Sequence, residues 1–226
     1  MAELKALIFD WDGTLSDSVP RIVQAMHAAA DLIGLPRCTD RAVMDIVGLG
    51  LPEAIAVLYP DITQALADTL RSAYSGCYIQ LEETPSPLFP GVIDALEAFK
   101  GTGVKLAVAT GKSRRGLQRV LAAHDLEGFF DSTRCADETA SKPDPLMLRL
   151  ILSEVGVEPA QAMMLGDSEF DLRMALAAAV RPVAVSYGAQ PREHLLRWKP
   201  ERCIDDFEEF HGWVMPQLRG QPVTEA

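Results

Sequence analysis

Leu4-Lys5-Ala6-Leu7-Ile8-Phe9 runs directly into Asp10-Trp11-Asp12-Gly13-Thr14-Leu15. A short, mostly apolar run followed at once by a carboxylate reads as a buried parallel strand that delivers a polar residue at its C-terminal end. The same grammar recurs along the chain. Residues 105–109 lead into Thr110-Gly111, 162–165 into Gly166-Asp167, 182–186 into Tyr187-Gly188, and Ile204 into Asp205-Asp206. A shorter strand is expected at 132–135. Helical patterns fill the gaps at 92–99, 115–124, 145–155 and 170–179. Strands alternating with helices of this length predict an α/β fold with a doubly wound, mainly parallel sheet. Ligands of such sheets bind outside the carboxyl ends of the strands. Asp10, Thr110 and Asp167 all fall there.

Between Leu15 and Pro85 the strand grammar stops. Helical spacing covers 20–33, 41–47, 52–58 and 62–79, with Thr39-Asp40 and Pro52 as start signals. The reading is a helical cap inserted after the first strand. Glu83-Thr84-Pro85-Ser86-Pro87-Leu88-Phe89-Pro90-Gly91 forms a stiff return linker. The predicted division is a Rossmann-like core of residues 1–15 and 86–215, a cap of 16–85, and a flexible tail of 216–226, where Pro216, Gly220 and Pro222 argue for fraying.

Composition narrows the function. The 226 residues are 48% hydrophobic and 23% charged, with a formal net charge of -11, ordinary values for a globular chain apart from the acidity. So acidic a chain is a poor partner for nucleic acid or anionic lipid. Cys38, Cys77, Cys135 and Cys203 form no metal-binding spacing and are expected to be reduced, which fits a cytoplasmic protein. No apolar stretch approaches the roughly 20 residues a membrane helix needs.

Asp10-x-Asp12-Gly13-Thr14 is the strongest chemical signal, and three others follow it in order: Thr110-Gly111, Lys142-Pro143, and Gly166-Asp167-x-x-x-Asp171. Each has a plain structural alternative. Thr110 could cap a helix, Lys142 could be a solvated lysine, and Asp167 and Asp171 could be acids of a helix's first turn. Their joint occurrence at successive strand ends argues for a shared site.

With these four motifs the chain resembles the haloacid dehalogenase superfamily, in its phosphatase branch with a helical cap. The resemblance implies a Mg²⁺-dependent phosphatase acting on a small phosphorylated metabolite as a monomer or homodimer. Residue chemistry assigns compatible roles. Unaided phosphate monoester hydrolysis is so slow that a catalyst must supply about 20 kcal/mol. A carboxylate nucleophile, Asp10, would split the task in two. Asp12 would protonate the leaving alkoxide and later deprotonate water. Mg²⁺ suits an oxygen-only site of Asp10 and Asp167. By resemblance, the Asp12 carbonyl completes the protein ligands, and Asp171 acts through water or Lys142. Lys142 offers a point charge, while Thr110 and the Gly111 N–H donate hydrogen bonds to phosphoryl oxygens.

Several residues are expected to stand apart from the chemistry. Trp11, where the family more often has Leu, reads as a packing variant. Ala179 stands where Gly would favour a left-handed helix stop, at a cost of about 1 kcal/mol. His27, His124, His194 and His211 have no ligand spacing. Arg114, Arg115 and Glu208-Glu209 read as surface charges. In the cap, Gly48-Leu49-Gly50-Leu51 is the loop expected to reach over the nucleophile. Its Val47-Gly48-x-Gly50 pattern is similar to that of phosphoglycolate phosphatases. Residues 16–85 carry nine acids against four arginines (Arg21, Arg37, Arg41, Arg71), which does not favour a large polyanionic substrate. Arg21 is the cap cation placed best by sequence. Two alternatives stay open: a sugar phosphomutase of the same superfamily, and a non-catalytic protein that binds phosphorylated metabolites.

Overall fold

The computed structural model describes residues 3–220. Six strands, β1 (Ala6–Phe9), β2 (Lys105–Thr110), β3 (Ser132–Cys135), β4 (Ala162–Gly166), β5 (Arg181–Val185) and β6 (Arg202–Ile204), form one sheet in the order β3-β2-β1-β4-β5-β6. All five pairings are parallel. Helices α1 (Val19–Ile33), α2 (Asp40–Asp45), α3 (Leu51–Leu58) and α4 (Gln64–Leu81) follow β1 in succession. Then come α5 (Val92–Lys100), α6 (Arg114–Ala123), α7 (Leu146–Val155), α8 (Glu169–Ala177), α9 (Arg192–Leu195) and α10 (Phe207–Leu218).

The sequence Ala-Leu-Ile-Phe makes β1 central because both its faces are apolar. Leu7 and Phe9 enter the layer formed by α5, α6 and α10, whereas Ala6 and Ile8 enter the layer of α7 and α8. Alternation along β2 matches it, with Leu106 and Val108 on the first side and Ala107 and Ala109 on the second. With helices on both faces, the C-terminal strand edge is left open for polar groups. The strand order reverses beside β1, so β2 and β4 flank it and their ends converge with its own.

Helices α1 to α4 bury a third apolar cluster, including Ile22, Met26, Val43, Ile55, Leu70 and Tyr78. The Thr39 side chain accepts a hydrogen bond from Ala42 N, capping α2 as its sequence position predicts. Trp11 is fully buried in the core beside His124, in keeping with a packing role. Ala179 adopts φ 56, the left-handed conformation anticipated for a glycine position.

Three expectations are corrected. Residues 216–218 are helical, not frayed: Phe207, Phe210, Val214 and Met215 hold α10 against the sheet, and that burial outweighs the hydrogen bond Pro216 removes in the last turn. Residues 221–226 of the anticipated tail lie outside the described residues. Glu209 is not simply a solvated acid. It accepts hydrogen bonds from Arg202 and from Asp205 N, tying β6 to α10. Arg114 is no free surface charge either, because its guanidinium binds Glu138 and Thr133 at the edge strand β3.

Candidate active site

Asp10, Asp12, Thr110, Lys142, Asp167 and Asp171 are all buried, and the strand ends bring them together. Asp10 follows β1 directly. Its Oδ1 accepts hydrogen bonds from Trp11 N at 2.7 Å and from Lys142 Nζ at 2.7 Å. Its Oδ2 is buried without a hydrogen-bond partner. One oxygen is therefore anchored and the other is left unsatisfied.

The turn after Asp10 is tight: Leu15 N and Ser16 N both bond Trp11 O. Gly13 has φ +76, and a Cβ there would lie 2.0 Å from Asp167 Oδ2. Only glycine satisfies both the left-handed backbone and the close approach of that carboxylate. The turn aims Asp12 toward the inserted helices, where Asp12 Oδ1 accepts from Ser18 Oγ and pairs with Lys112 Nζ at 2.9 Å.

Asp167, just past β4, accepts a 2.7 Å hydrogen bond on Oδ2 from Ala189 N, while Thr14 Oγ1 lies 3.5 Å from Oδ1. Asp171 sits one turn into α8. Its Oδ1 takes Lys142 Nζ at 2.6 Å, and its Oδ2 takes Ser168 N and Oγ. Lys142 thus bridges Asp10 and Asp171. Thr110 does not cap α6, a task that falls to Ser113. Its Oγ1 accepts from Lys112 N, which leaves its own O–H free to donate. A Cβ on Gly111 would meet Leu49 O at 2.5 Å and Gly48 O at 2.7 Å. The cap loop therefore rests on Gly111 and arches over the nucleophile's end of the sheet, as its sequence predicts.

The electrostatics are dominated by burial, to which the crowded carboxylates add. Burial pushes the Asp10 carboxyl up from the usual 3.8 to about 7; Lys142 opposes this, and Asp171 and Asp12 add to it. Burial also raises Asp167 well above its ordinary value, reinforced by Asp10 and Asp171. For Lys142, burial disfavours the charge, but Asp10 and Asp171 outweigh it and hold the ammonium above the usual lysine range. Lys112 behaves likewise through Asp12.

These features fit a divalent cation. Oxygens of Asp10, Asp167 and Asp171 lie within 4.8 Å of one another. With Asp12 the site counts four carboxylates against Lys142 and Lys112, an excess of two negative charges when all are ionised. The unsatisfied Asp10 Oδ2 faces this cluster's shortage of positive charge. Asp171 has both oxygens in short hydrogen bonds and holds Lys142 in place, whereas Asp10 Oδ2 has no partner and Asp167 Oδ1 has only the long 3.5 Å contact with Thr14 Oγ1, which leaves these two carboxylates the more capacity to ligate. The Asp12 carboxylate is not part of the cluster.

Sequence reasoning missed Lys112, Ser18 and Tyr78. Lys112 Nζ reaches Tyr78 Oη of α4 at 3.2 Å while it pairs with Asp12. Its position two residues beyond Thr110, on the same strand-end loop, was the available signal. Arg115 lines the cavity between the inserted helices and the sheet, whereas Arg21 does not.

A parallel sheet bearing Asp10, Thr110, Lys142 and Asp167 at its C-terminal edge, under a helical insert, defines a class. Residues 4–179 match the model of the haloacid dehalogenase-like hydrolases, and the chain belongs to that family. Among its relatives, a protein named "Probable phosphatase IndB" of Dickeya dadantii is 33% identical over 96% of this chain and 97% of its own length. A phosphoglycolate phosphatase of Vibrio cholerae is 30% identical over 91% of this chain and 95% of its own. A crystal structure described as a predicted phosphoglycolate phosphatase from Haemophilus somnus superposes with a TM-score of 0.82 at 26% identity, covering 93% of this chain and 97% of that one. Among the described residues, no helix is long and apolar enough to cross a membrane.

Proposed function

We propose that the protein is a Mg²⁺-dependent phosphatase that hydrolyses a small phosphate monoester through a phospho-aspartate on Asp10. The observation that carries this reading is the Asp10 carboxylate, with Oδ1 anchored by Trp11 N and Lys142 and Oδ2 buried and unsatisfied. Relatives named as phosphatases support it.

Asp10 Oδ2 attacks phosphorus, and the bond from phosphorus to the ester oxygen breaks. Asp12 gives the departing alkoxide a proton. It then takes one from the water that attacks the phospho-aspartate, which restores Asp10 and frees inorganic phosphate. Lys142 keeps the nucleophile oriented and places a positive charge beside the transferring group. The Thr110 O–H and Gly111 N–H donate to its oxygens. Asp10 and Asp167 would hold Mg²⁺, joined by the Asp12 carbonyl if the family resemblance carries over, and the ion would neutralise carboxylate and phosphoryl charge. Its substrate is a small phosphorylated metabolite, and the relatives' names put phosphoglycolate among the first compounds to assay.

A phosphate-release assay over a panel of small esters, in Mg²⁺ and in chelator, tests the reading. Inorganic phosphate should appear only with Mg²⁺. Formation of an isomeric sugar phosphate without phosphate release would replace the phosphatase with a phosphomutase. No turnover on any ester would leave a binding protein.

Stability should report the metal independently of activity. In chelator, Asp10 folds with its acidity weakened from 3.8 to about 7. Its stabilising contribution is then complete below about pH 4 and is lost as pH rises through 7, on the order of 4 kcal/mol if Asp10 acted alone. The chelated protein should melt at lower temperature at pH 8 than at pH 5.5, and Mg²⁺ should raise the melting point more at pH 8. Equal Mg²⁺ shifts at both values would remove Asp10 from the metal site.

A further inference from the structure

The inserted helices and the sheet edge border a half-open cleft of about 470 Å³ that begins at Asp10 and Asp12. One side of its wall beyond Asp12 is apolar, formed by Ile22, Met26, Val47, Leu49, Tyr74 and Tyr78. The tyrosine rings lie 5.9 Å apart, and Tyr78 is fixed by its hydrogen bond to Lys112. The cleft falls in the size range that takes drug-sized ligands. A two-carbon leaving group would fill only a small part of it and would leave the apolar wall wet.

The charges around this cavity also disfavour a second anion. Lys112 Nζ is held by both Asp12 and Tyr78 Oη. Arg71 and Arg119 line the cavity but pair with Asp68 and Glu82. Arg115 is exposed, and Glu53 and Asp137 share the lining. A carboxylate held close to the phosphoryl group would lie beside Asp12 with no uncommitted buried cation to receive it.

Resting on the phosphatase reading, we infer that the preferred substrate is the phosphate monoester of an uncharged alcohol with a bulky apolar body, which packs against the Tyr74, Tyr78 and Leu49 wall. Small esters that carry a second anionic group, such as 2-phosphoglycolate, are then poor substrates, whatever relatives are named for.

The test is kcat/KM for methyl, propyl and hexyl phosphate and for 2-phosphoglycolate, with Mg²⁺ present. Primary alkyl esters leave with similar ease, so a trend among them reports burial of the body. Burial should raise kcat/KM by up to about fourfold per methylene, and by at least roughly tenfold from propyl to hexyl. Phosphoglycolate should fall at least roughly tenfold below hexyl phosphate. Leu49→Asp, at a partly buried position of the cap loop, should shrink the hexyl-to-methyl ratio by about tenfold. A flat or falling alkyl series, or a preference for phosphoglycolate, with turnover still dependent on Asp10, would overturn the inference and leave the phosphatase standing. Absence of Asp10-dependent release from every ester would sink both.

Discussion

Asp10→Asn should lower phosphate release by roughly a thousandfold or more, the scale of losing a covalent nucleophile, and should leave the fold intact. The amide oxygen can take over the Oδ1 contacts with Trp11 N and Lys142. That places the NH₂ group where Oδ2 stood, and an amide nitrogen has no lone pair ready to attack phosphorus. The substitution also withdraws a charge from a pocket that holds Asp167 and Asp171 within 4.8 Å. Lys142 keeps Asp171 as its counter-ion. In chelator the variant should therefore melt no lower than wild type at pH 8, and it should lose much of the Mg²⁺-dependent rise. Phosphate-release kinetics, melting by circular dichroism and intact mass after acid quenching check this together. Wild type mixed with substrate should carry a phosphoryl adduct that Asp10→Asn lacks. Wild-type turnover by the variant would remove Asp10 from the chemistry.

The part of this site that could be read from sequence is the part built by single strands. Each apolar run ends in its functional residue, so Asp10, Thr110 and Asp167 follow from local pattern, and parallel pairing of β1 with β2 and β4 sets them side by side. Lys142 follows no comparable apolar run, because β3 is a short edge strand containing Thr133 and Arg134. Its place in the order of motifs beyond the third strand, together with the resemblance, marked it. Contacts across the cap were invisible for a different reason. Lys112 and Tyr78 meet over a sequence separation of 34, and their approach depends on how α4 packs on α1, which no local period encodes. The C-terminal helix was legible and misread. Asp206 caps it through Glu209 N, and Phe207, Phe210 and Val214 keep helical spacing, but Pro216 was given the weight of a breaker although it lies in the final turn.

Lys142→Met should be the most destabilising of the site substitutions. Lys142 is fully buried, with Asp10 Oδ1 at 2.7 Å and Asp171 Oδ1 at 2.6 Å. Methionine fills a similar volume, so the effect is electrostatic and not a cavity effect. Removing one member of a buried ion network leaves the others uncompensated, at a cost of about 3–5 kcal/mol. In a chain of this size that corresponds to a fall of roughly 10 °C in melting temperature. The loss should depend on pH. Without the ammonium, Asp10 loses the main influence that opposes its burial, so its acidity weakens further. Below about pH 5 the carboxyl is protonated in either protein and the difference narrows; as pH rises past 7, wild type ionises Asp10 against Lys142 while the variant has no partner for it, and the gap widens. Turnover should drop by roughly a hundredfold or more, because the charge beside the transferring phosphoryl group is gone. Lys142→Arg should restore little, since a planar fork on a longer stem does not fit between two carboxylates placed for a single ammonium. Equal melting temperatures for wild type and Lys142→Met at pH 8 would show that the buried carboxylates do not depend on this lysine, and the charge balance argued for the metal site would have to be redrawn.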